Sequence, residues 1–465
     1  MAVTFIDLFA GIGGFHAAGE SFGWKCVFAN EMDPAAASVY EQNWDLKALG
    51  NIHEYTRASK KGTIPAHDVL FAGFPCQPFS KSGKQKGMDE DRGSLFHDIA
   101  FILEKHKPSM VVLENVRNIA GPRHAHEWSF IIQKLRDLGY RVSGKPFVVS
   151  PHRIPPTYGG TPQARERVFI VGTRLPSKRH ALINDETPLQ FPTDFDGWDT
   201  NNWNLFSDLP LDDTPENFMK YRLKNDEIEI LDAWNWLVKE MLVQRDGLRL
   251  PGFPLWSDLW GSRPIYEKVL EAPDWKKEFE SKNRQFYLEH KKLIDQWLKD
   301  FPIVRASTPS KRKLEWQAQD TKSLWETVMH FRPSGIRAKK PTYVPALVAI
   351  TQTSIVGKQK RRITVREGSR LQGLPEWFDF VDQGNPQSYK QLGNGVNVGA
   401  VYNVIRAQVL RDLDLLEKKT LLTRSILGAP ANPDVALESH KKYFTNKSKM
   451  TGQIKVEVSK IKQAN

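Results

Sequence analysis

The chain has 465 residues, enough for two or three domains with full cores. At 40% hydrophobic and 26% charged it has an ordinary globular composition, and no apolar run reaches membrane-spanning length. Two cysteines rule out a disulfide framework, no CxxC or His/Cys cluster suggests zinc, and a net charge of +12 leans toward an acidic partner such as nucleic acid. The opening "MAVTFIDLFAG" has no basic flank, so it reads as a first strand and not as a signal peptide, and a reducing cytoplasm is expected.

Through about residue 175, β-type runs alternate with helical ones. "TFIDLF" is a strand and "GGFHAAGESFG" a helix; "KCVFANE" is a strand and "DPAAASVYEQNW" a helix. "DVLFAG", "SLFHDIAFILEKH", "SMVVLENV" and "HEWSFIIQKLRDLG" repeat the pattern, and "RVFIVGTR" adds a strand. This alternation predicts an open parallel α/β sheet, in which ligands sit at the carboxyl ends of the strands. From about 176 to 355 it disappears. Proline, tryptophan and charged residues interleave, and ten of the fourteen tryptophans fall between Trp198 and Trp325, which predicts a separate and less regular domain. "ITVREGSRLQGLPEWF" and "YKQLGNGVNVGAVYNVIRAQVLRDLDLLEKK" return to strand, loop and a long helix suited to packing back on the first domain. From about Ala436 seven lysines face two glutamates, the composition of a mobile, phosphate-attracting tail.

"DLFAGIGGF" (7–15) follows a strand and opens a helix, where glycines let the backbone turn tightly, with or without a ligand. Glu31 ends the next strand, where a carboxylate can accept both ribose hydroxyls of an adenosine cofactor; FAGIGG in place of GxGxxG disfavours a nicotinamide. Cys76, in "AGFPCQPFS" (72–80), lies at a strand end between two prolines. Most lone cysteines are buried small hydrophobes, as Cys26 in "WKCVFAN" is expected to be. Cys76 instead sits on the ligand edge, beside a polar loop with Lys81, Ser82, Lys84, Lys86 and Arg92. Glu114 in "ENV" ends an apolar strand, either as an ion-pair partner or as an acid raised by burial. In "QARERVFIVG", Arg165 and Arg167 share a face by alternation and point to the same sheet edge.

FAGIGG, GFPCQPFS, ENV, QARER, REGSRLQGLP and QLGNGV, in that order, resemble the DNA (cytosine-5)-methyltransferases, most closely the bacterial restriction–modification enzymes. The matching blocks cover most of 4–175 and 360–405. The resemblance implies an α/β fold: an open, Rossmann-like sheet of the S-adenosylmethionine-dependent methyltransferases, with a second, smaller target recognition domain across a DNA cleft. On this reading residues 1–175 bind cofactor and catalyse, 176–360 recognise the target, 361–425 return to the catalytic domain and 426–465 form a basic tail.

The resemblance assigns catalysis to Cys76 as nucleophile on carbon 6 of cytosine, Glu114 as acid at ring nitrogen 3, Arg167 on the cytosine carbonyl and Arg165 in support. S-adenosylmethionine is placed against Phe9, Ala10, Gly11, Ile12 and Gly13, with Glu31 and Met32 at the ribose and adenine. Asn51 and Ile52 are added at the adenine, Pro75 and Leu95 near the methionine part, and Asn394, Gly395 and Val396 from the late motif. Position 51 departs from the family pattern: "GNI" stands where "GDI" is usual, so the asparagine carbonyl is expected to accept from the adenine amino group with weaker binding. Ser80, Ser82, Lys84 and Arg92 of the loop are assigned to DNA, and no metal is implied. Clusters "KRK" (311–313), "RAKK" (337–340) and "KQKRR" (358–362) suit phosphate contacts or a plain solvated surface. The implied partner is double-stranded DNA, bound by a cytoplasmic monomer with no membrane association, and a cognate endonuclease is an expected counterpart that need not bind. A transfer-RNA methylase with the same catalytic parts, or a non-catalytic DNA-binding relative, are the competing readings; the long 176–355 segment and the complete catalytic set argue against them.

Overall fold

Short β-branched and aromatic runs bounded by glycine and proline form the first strands. β1 (Thr4–Leu8) pairs in parallel with β2 (Lys25–Asn30) and β3 (Val69–Ala72), and β3 pairs in parallel with β4 (Met110–Val116). β5 (Tyr140–Arg141) and β6 (Phe147–Val149) follow, and β7 (Gln163–Ala164) stands just before β8 (Arg167–Arg174). β8 is antiparallel to β4, β5 and β6. Among the described residues the sheet has seven strands, ordered β2-β1-β3-β4-β8-β5 with β6 beside β8. It is therefore mixed and not wholly parallel as the alternation predicts. Only a crossover brings a strand back in parallel, and β8 follows β5 and β6 through short turns and single 3-10 turns with no α-helix between them.

This computed structural model describes residues 2–57, 63–75, 95–176, 182–191, 195, 197–261, 273–347, 353–380, 383–416 and 420–438. The chain divides into two units, residues up to 200 together with those from 369 onward, and residues 201–368. In the first unit, helices α1 (Gly14–Glu20), α2 (Pro34–Trp44), α3 (His53–Thr56), α4 (Leu95–His106) and α5 (Ala125–Asp137) cover the sheet. One face, with Ile6, Leu70, Val111 and Leu113, packs with Phe96, Ile99 and Leu103 of α4 and Ile131 and Leu135 of α5. On the other, Phe71 stacks on Phe15 of α1 at 5.1 Å. Helix Val398–Arg411 joins the unit through Gln408, which donates to the Gly172 carbonyl at 2.9 Å.

The unit takes in more chain at both joints than composition suggests. Arg141 pairs with Asp185 at 2.5 Å and Trp198 donates to the His152 carbonyl at 3.1 Å, so 182–200 stays with the sheet. The stretch read as the start of a tail is packed as far as 438: Trp24 donates to Ser425 at 2.8 Å, Trp377 donates to the Leu437 carbonyl at 3.3 Å, and Leu437 is fully buried. The lysine-rich remainder, 439–465, lies outside the described residues.

Residues 201–368 are more regular than their sequence suggests. Helix Asn225–Gln244 packs with helices Asp274–Glu289 and Lys291–Asp300 and a sheet that has six strands among the described residues. Trp234, Trp260 and Trp297 are fully buried at its centre. Each indole N–H finds a carbonyl, of Lys311, Asn283 and Ala233 respectively, as a buried donor must. These three tryptophans are core and are not available to read DNA. The basic clusters are likewise largely paired within the unit: Lys311 with Asp226, Arg312 with Asp258, Arg337 with Glu315 and Arg362 with Glu227. Arg361 is fully buried against Glu367 and is closed off from solvent. Among the described residues no helix is long and apolar enough to cross a membrane.

Candidate active site

The carboxyl ends of β1, β2, β3 and β4 open onto one cavity of about 420 Å³, within the range of small-ligand pockets. After β1 the chain turns through Phe9 and Gly11, both in the left-handed region at φ 55°. The Gly11 N–H donates to one Glu31 oxygen at 2.8 Å, and the Asp33 N–H donates to the other at 2.8 Å. Each oxygen keeps a second lone pair, so the carboxylate is fixed in direction yet still able to accept. Nothing stands within 4 Å of where a Gly11 Cβ would lie, so the backbone there is open to a ligand. Asp33 caps α2 by accepting from the Ala35 and Ala36 N–H groups.

At the other end of the cavity stands Glu114, 9% exposed, with its Oε1 2.9 Å from Arg167 Nε. Burial raises its pKa above the ordinary carboxylate value, and the nearby Arg167 and Arg165 charges oppose that rise without cancelling it. Arg167 is fixed from its other side, donating to the Glu166 carbonyl at 2.9 Å. The acid is thus partnered, buried and biased toward holding its proton.

Phe9, Gly11, Glu31, Met32, Asn51, Ile52, Pro75, Leu95, Glu114, Arg167 and Asn394 all line this cavity. Ala10, Ile12, Gly13, Gly395 and Val396 do not; they form the turns behind the lining residues. Arg165 does not line it either. It is 1% exposed, and its guanidinium donates to the carbonyls of Gly393 at 2.8 Å and Gly395 at 2.6 Å. Burial lowers its pKa to about 9, which leaves it charged at neutral pH. Asn51 spends part of its expected capacity locally: its Oδ1 accepts from the His53 N–H at 3.1 Å, and one lone pair remains. Cys76, Ser80, Ser82, Lys84 and Arg92 lie outside the described residues. Cys26 is buried and donates to the Phe28 carbonyl at 3.4 Å; burial pushes its thiol well up, so it packs and does not attack.

Sequence reasoning missed Asn115 and Lys390. Asn115 follows the acid, lines the cavity, and donates from Nδ2 to the Phe74 carbonyl at 2.9 Å, which holds the turn leading into Pro75. Its place in "ENV" was the available signal. Lys390 reaches the cavity from helix Asn385–Asn394, 3.4 Å from Asp33. No local pattern marks it, since its partner lies 357 residues away.

The profile of the family described as C-5 cytosine-specific DNA methylase matches residues 3–409. The chain is 43% identical to the Type II methyltransferase M.AluI of Cellulosimicrobium cellulans, over 89% of this chain and 93% of that protein. It is 30% identical to the Type II methyltransferase M.BanI of Aneurinibacillus aneurinilyticus, over 87% and 95% respectively. The match to M.HhaI of Haemophilus parahaemolyticus is 44% identical but covers 36% of this chain and 48% of that protein. With a profile spanning the strand-end cavity and both halves of the first unit, the chain belongs to the C-5 cytosine-specific DNA methylase family.

Proposed function

We propose that the cavity is the S-adenosylmethionine site of a sequence-specific DNA cytosine methyltransferase whose nucleophile is Cys76. The observation that carries this is one cavity holding a backbone-fixed carboxylate, Glu31, at one end and a buried acid–guanidinium pair, Glu114–Arg167, at the other. Pro75, the residue before Cys76, is on its wall. The residues present fit an adenosine-bearing group: Glu31 has lone pairs for ribose hydroxyls, Gly11 leaves room for close approach, and Asn51 and Ile52 flank the same space. S-adenosylmethionine supplies an electrophilic methyl group when bound.

The chain's residues do the rest. The Cys76 thiolate adds to carbon 6 of the ring, which places electron density on carbon 5. Glu114 gives a proton or hydrogen bond to ring nitrogen 3, and Arg167 holds the ring carbonyl while keeping the Glu114 carboxyl in place. Carbon 5 would then take the methyl group, leaving S-adenosylhomocysteine; loss of the carbon 5 proton to water, expulsion of the Cys76 sulfur and return of the nitrogen 3 proton to Glu114 restore the ring. The base must leave the duplex to reach these groups, at a cost of a few kcal/mol. The enzyme acts as a cytoplasmic monomer on double-stranded DNA within a restriction–modification system, and the endonuclease of the same site need not bind it.

Target choice is proposed to follow M.AluI. What an 89% match leaves out is far shorter than residues 201–368, so the likeness runs through most of the second unit; the M.HhaI match, at 36%, is much shorter. DNA from cells making the protein is expected to resist the endonuclease of the AluI system, and Cys76→Ala should abolish that resistance. An oligonucleotide carrying 5-fluorocytosine at the target should form a covalent complex with the wild type and none with Cys76→Ala. A complex that survives in the variant refutes the nucleophile; cleavage of fully methylated DNA refutes the shared target.

A further inference from the structure

Arg165 is among the largest fully buried side chains, and it stops short of the cavity. The two carbonyls it bonds, of Gly393 and Gly395, flank Asn394, and Gly393 and Asn394 line the cavity. Helix Asn385–Asn394 ends at this point, where Gly395 is the cap in extended backbone and its N–H returns to the Gln391 carbonyl at 2.9 Å. The carbonyls at a helix C-terminus have no intrahelical donor and must be served from outside, and a cation is the favoured partner there. A Gly-Asn-Gly turn has little stiffness of its own.

The neighbouring residues grip the same late segment. The Arg165 N–H is held by Ser150 Oγ at 2.8 Å. Gln163 and Thr161 both donate to the Leu371 carbonyl, at 2.9 and 2.8 Å, and Gln372 donates to the Leu392 carbonyl at 2.6 Å. Two residues beyond Arg165, Arg167 pairs with Glu114. One short stretch therefore fixes both the acid and the late wall of the cavity.

We infer that Arg165 is a positioning residue for S-adenosylmethionine: it clamps the Gly393 and Gly395 carbonyls so that Asn394 forms the cavity wall, and it does not hold the cytosine. This rests on the reading of the cavity given above, and deepens it. It also moves Arg165 out of the catalytic set in which the sequence resemblance places it.

The test is an equilibrium titration of S-adenosylmethionine, and separately of S-adenosylhomocysteine, into wild type, Arg165→Lys, Asn394→Ala and the double variant. Turnover is read alongside, at saturating methyl donor. A lysine keeps the charge but not the planar fork that spans two carbonyls. Arg165→Lys is expected to raise Kd by about tenfold or more, the scale of a lost charge-assisted hydrogen bond, while kcat changes much less. Adding Asn394→Ala should then raise Kd by less than it does alone, because both substitutions disable one wall. Unchanged affinity with a large loss of kcat overturns the inference and returns Arg165 to the base. If the wild type binds neither ligand, the cavity assignment itself is wrong, whatever Arg165 does. Should Arg165→Lys fail to fold, Gln372→Leu loosens the adjacent Leu392 carbonyl without altering charge near the acid. It must raise Kd more than it lowers kcat, and an unchanged Kd counts against the clamp.

Discussion

Burial and charge pull Glu114 in opposite directions, and burial dominates. A carboxyl biased toward its proton serves as an acid only if it can give that proton up, so Glu114→Gln tests proton transfer apart from shape. The amide can still accept from Arg167 and donate to a ring nitrogen, but it has no proton to transfer. Turnover is expected to fall by at least ~10²-fold with S-adenosylmethionine affinity unchanged; a loss under about tenfold removes Glu114 as the acid. A second titratable residue governs stability instead of rate. His67 is buried, its Nδ1 within 2.8 Å of the Pro65 carbonyl and its ring 5.2 Å from that of His106. Burial lowers its pKa from 6.5 to about 4. Below 6.5 the unfolded chain takes up a proton that the native protein refuses. Its contribution to stability is therefore complete above 6.5 and is lost as pH falls toward 4, by up to ~1.4 kcal/mol per pH unit. His67→Asn, which keeps a donor for Pro65, should show a smaller drop in thermal midpoint between pH 7.5 and pH 5. Equal drops in the two proteins would exclude His67 as the cause.

Two of the three glycines between β1 and the start of α1 have opposite duties. At Gly14 a Cβ would lie 2.4 Å from the Val396 carbonyl oxygen, so α1 and the late segment touch backbone to backbone. At Gly11 a Cβ meets nothing, but the residue is left-handed and faces the cavity. Gly14→Ala is expected to cost about 1–3 kcal/mol of stability through forced backbone shifts. Gly11→Ala should cost about 1 kcal/mol of strain and, in addition, weaken S-adenosylmethionine binding more than Gly14→Ala does. Thermal melts and titrations of both variants decide it, and the reverse ranking would contradict the cavity geometry. Much of this element was legible beforehand, because strand–glycine turn–helix followed by Glu31 is a local pattern. The shared face expected of Arg165 and Arg167 fails for a physical reason. Alternation places residues two apart on one face only inside a regular strand, and β8 begins at Arg167 while β7 ends at Ala164, so Arg165 turns inward at the break. The tryptophan-rich region was read as irregular because, in helix Asn225–Gln244, further apolar residues outside the fully buried set, Ile228, Trp236, Leu242 and Val243, blur the helical spacing of Ile230, Leu231, Trp234, Leu237, Val238 and Met241. Pairs such as Arg141–Asp412, 2.7 Å apart, leave no local trace.

At the scale of the molecule, residues 201–368 form a body with its own tryptophan core, inserted within the chain of the first unit. Such a body can be exchanged as a piece. Replacing 201–368 with the corresponding segment of a related enzyme is expected to transfer that enzyme's target sequence, leaving S-adenosylmethionine affinity nearly unchanged. Bisulfite sequencing of plasmid DNA from cells making the chimaera reads the outcome; an active chimaera that still modifies the parental site would place sequence choice elsewhere. The same insertion has a consequence for synthesis. The cavity takes its first wall from Phe9 and its last from Asn394, with the whole second unit translated between them. Domains fold as they emerge, and the most distant contacts close last. A ribosome making this protein therefore completes the second unit while the cavity still lacks a wall. A chain stopped anywhere before Lys390 lacks Lys390, Gln391, Gly393 and Asn394, so the cavity closes only after the second unit has been made.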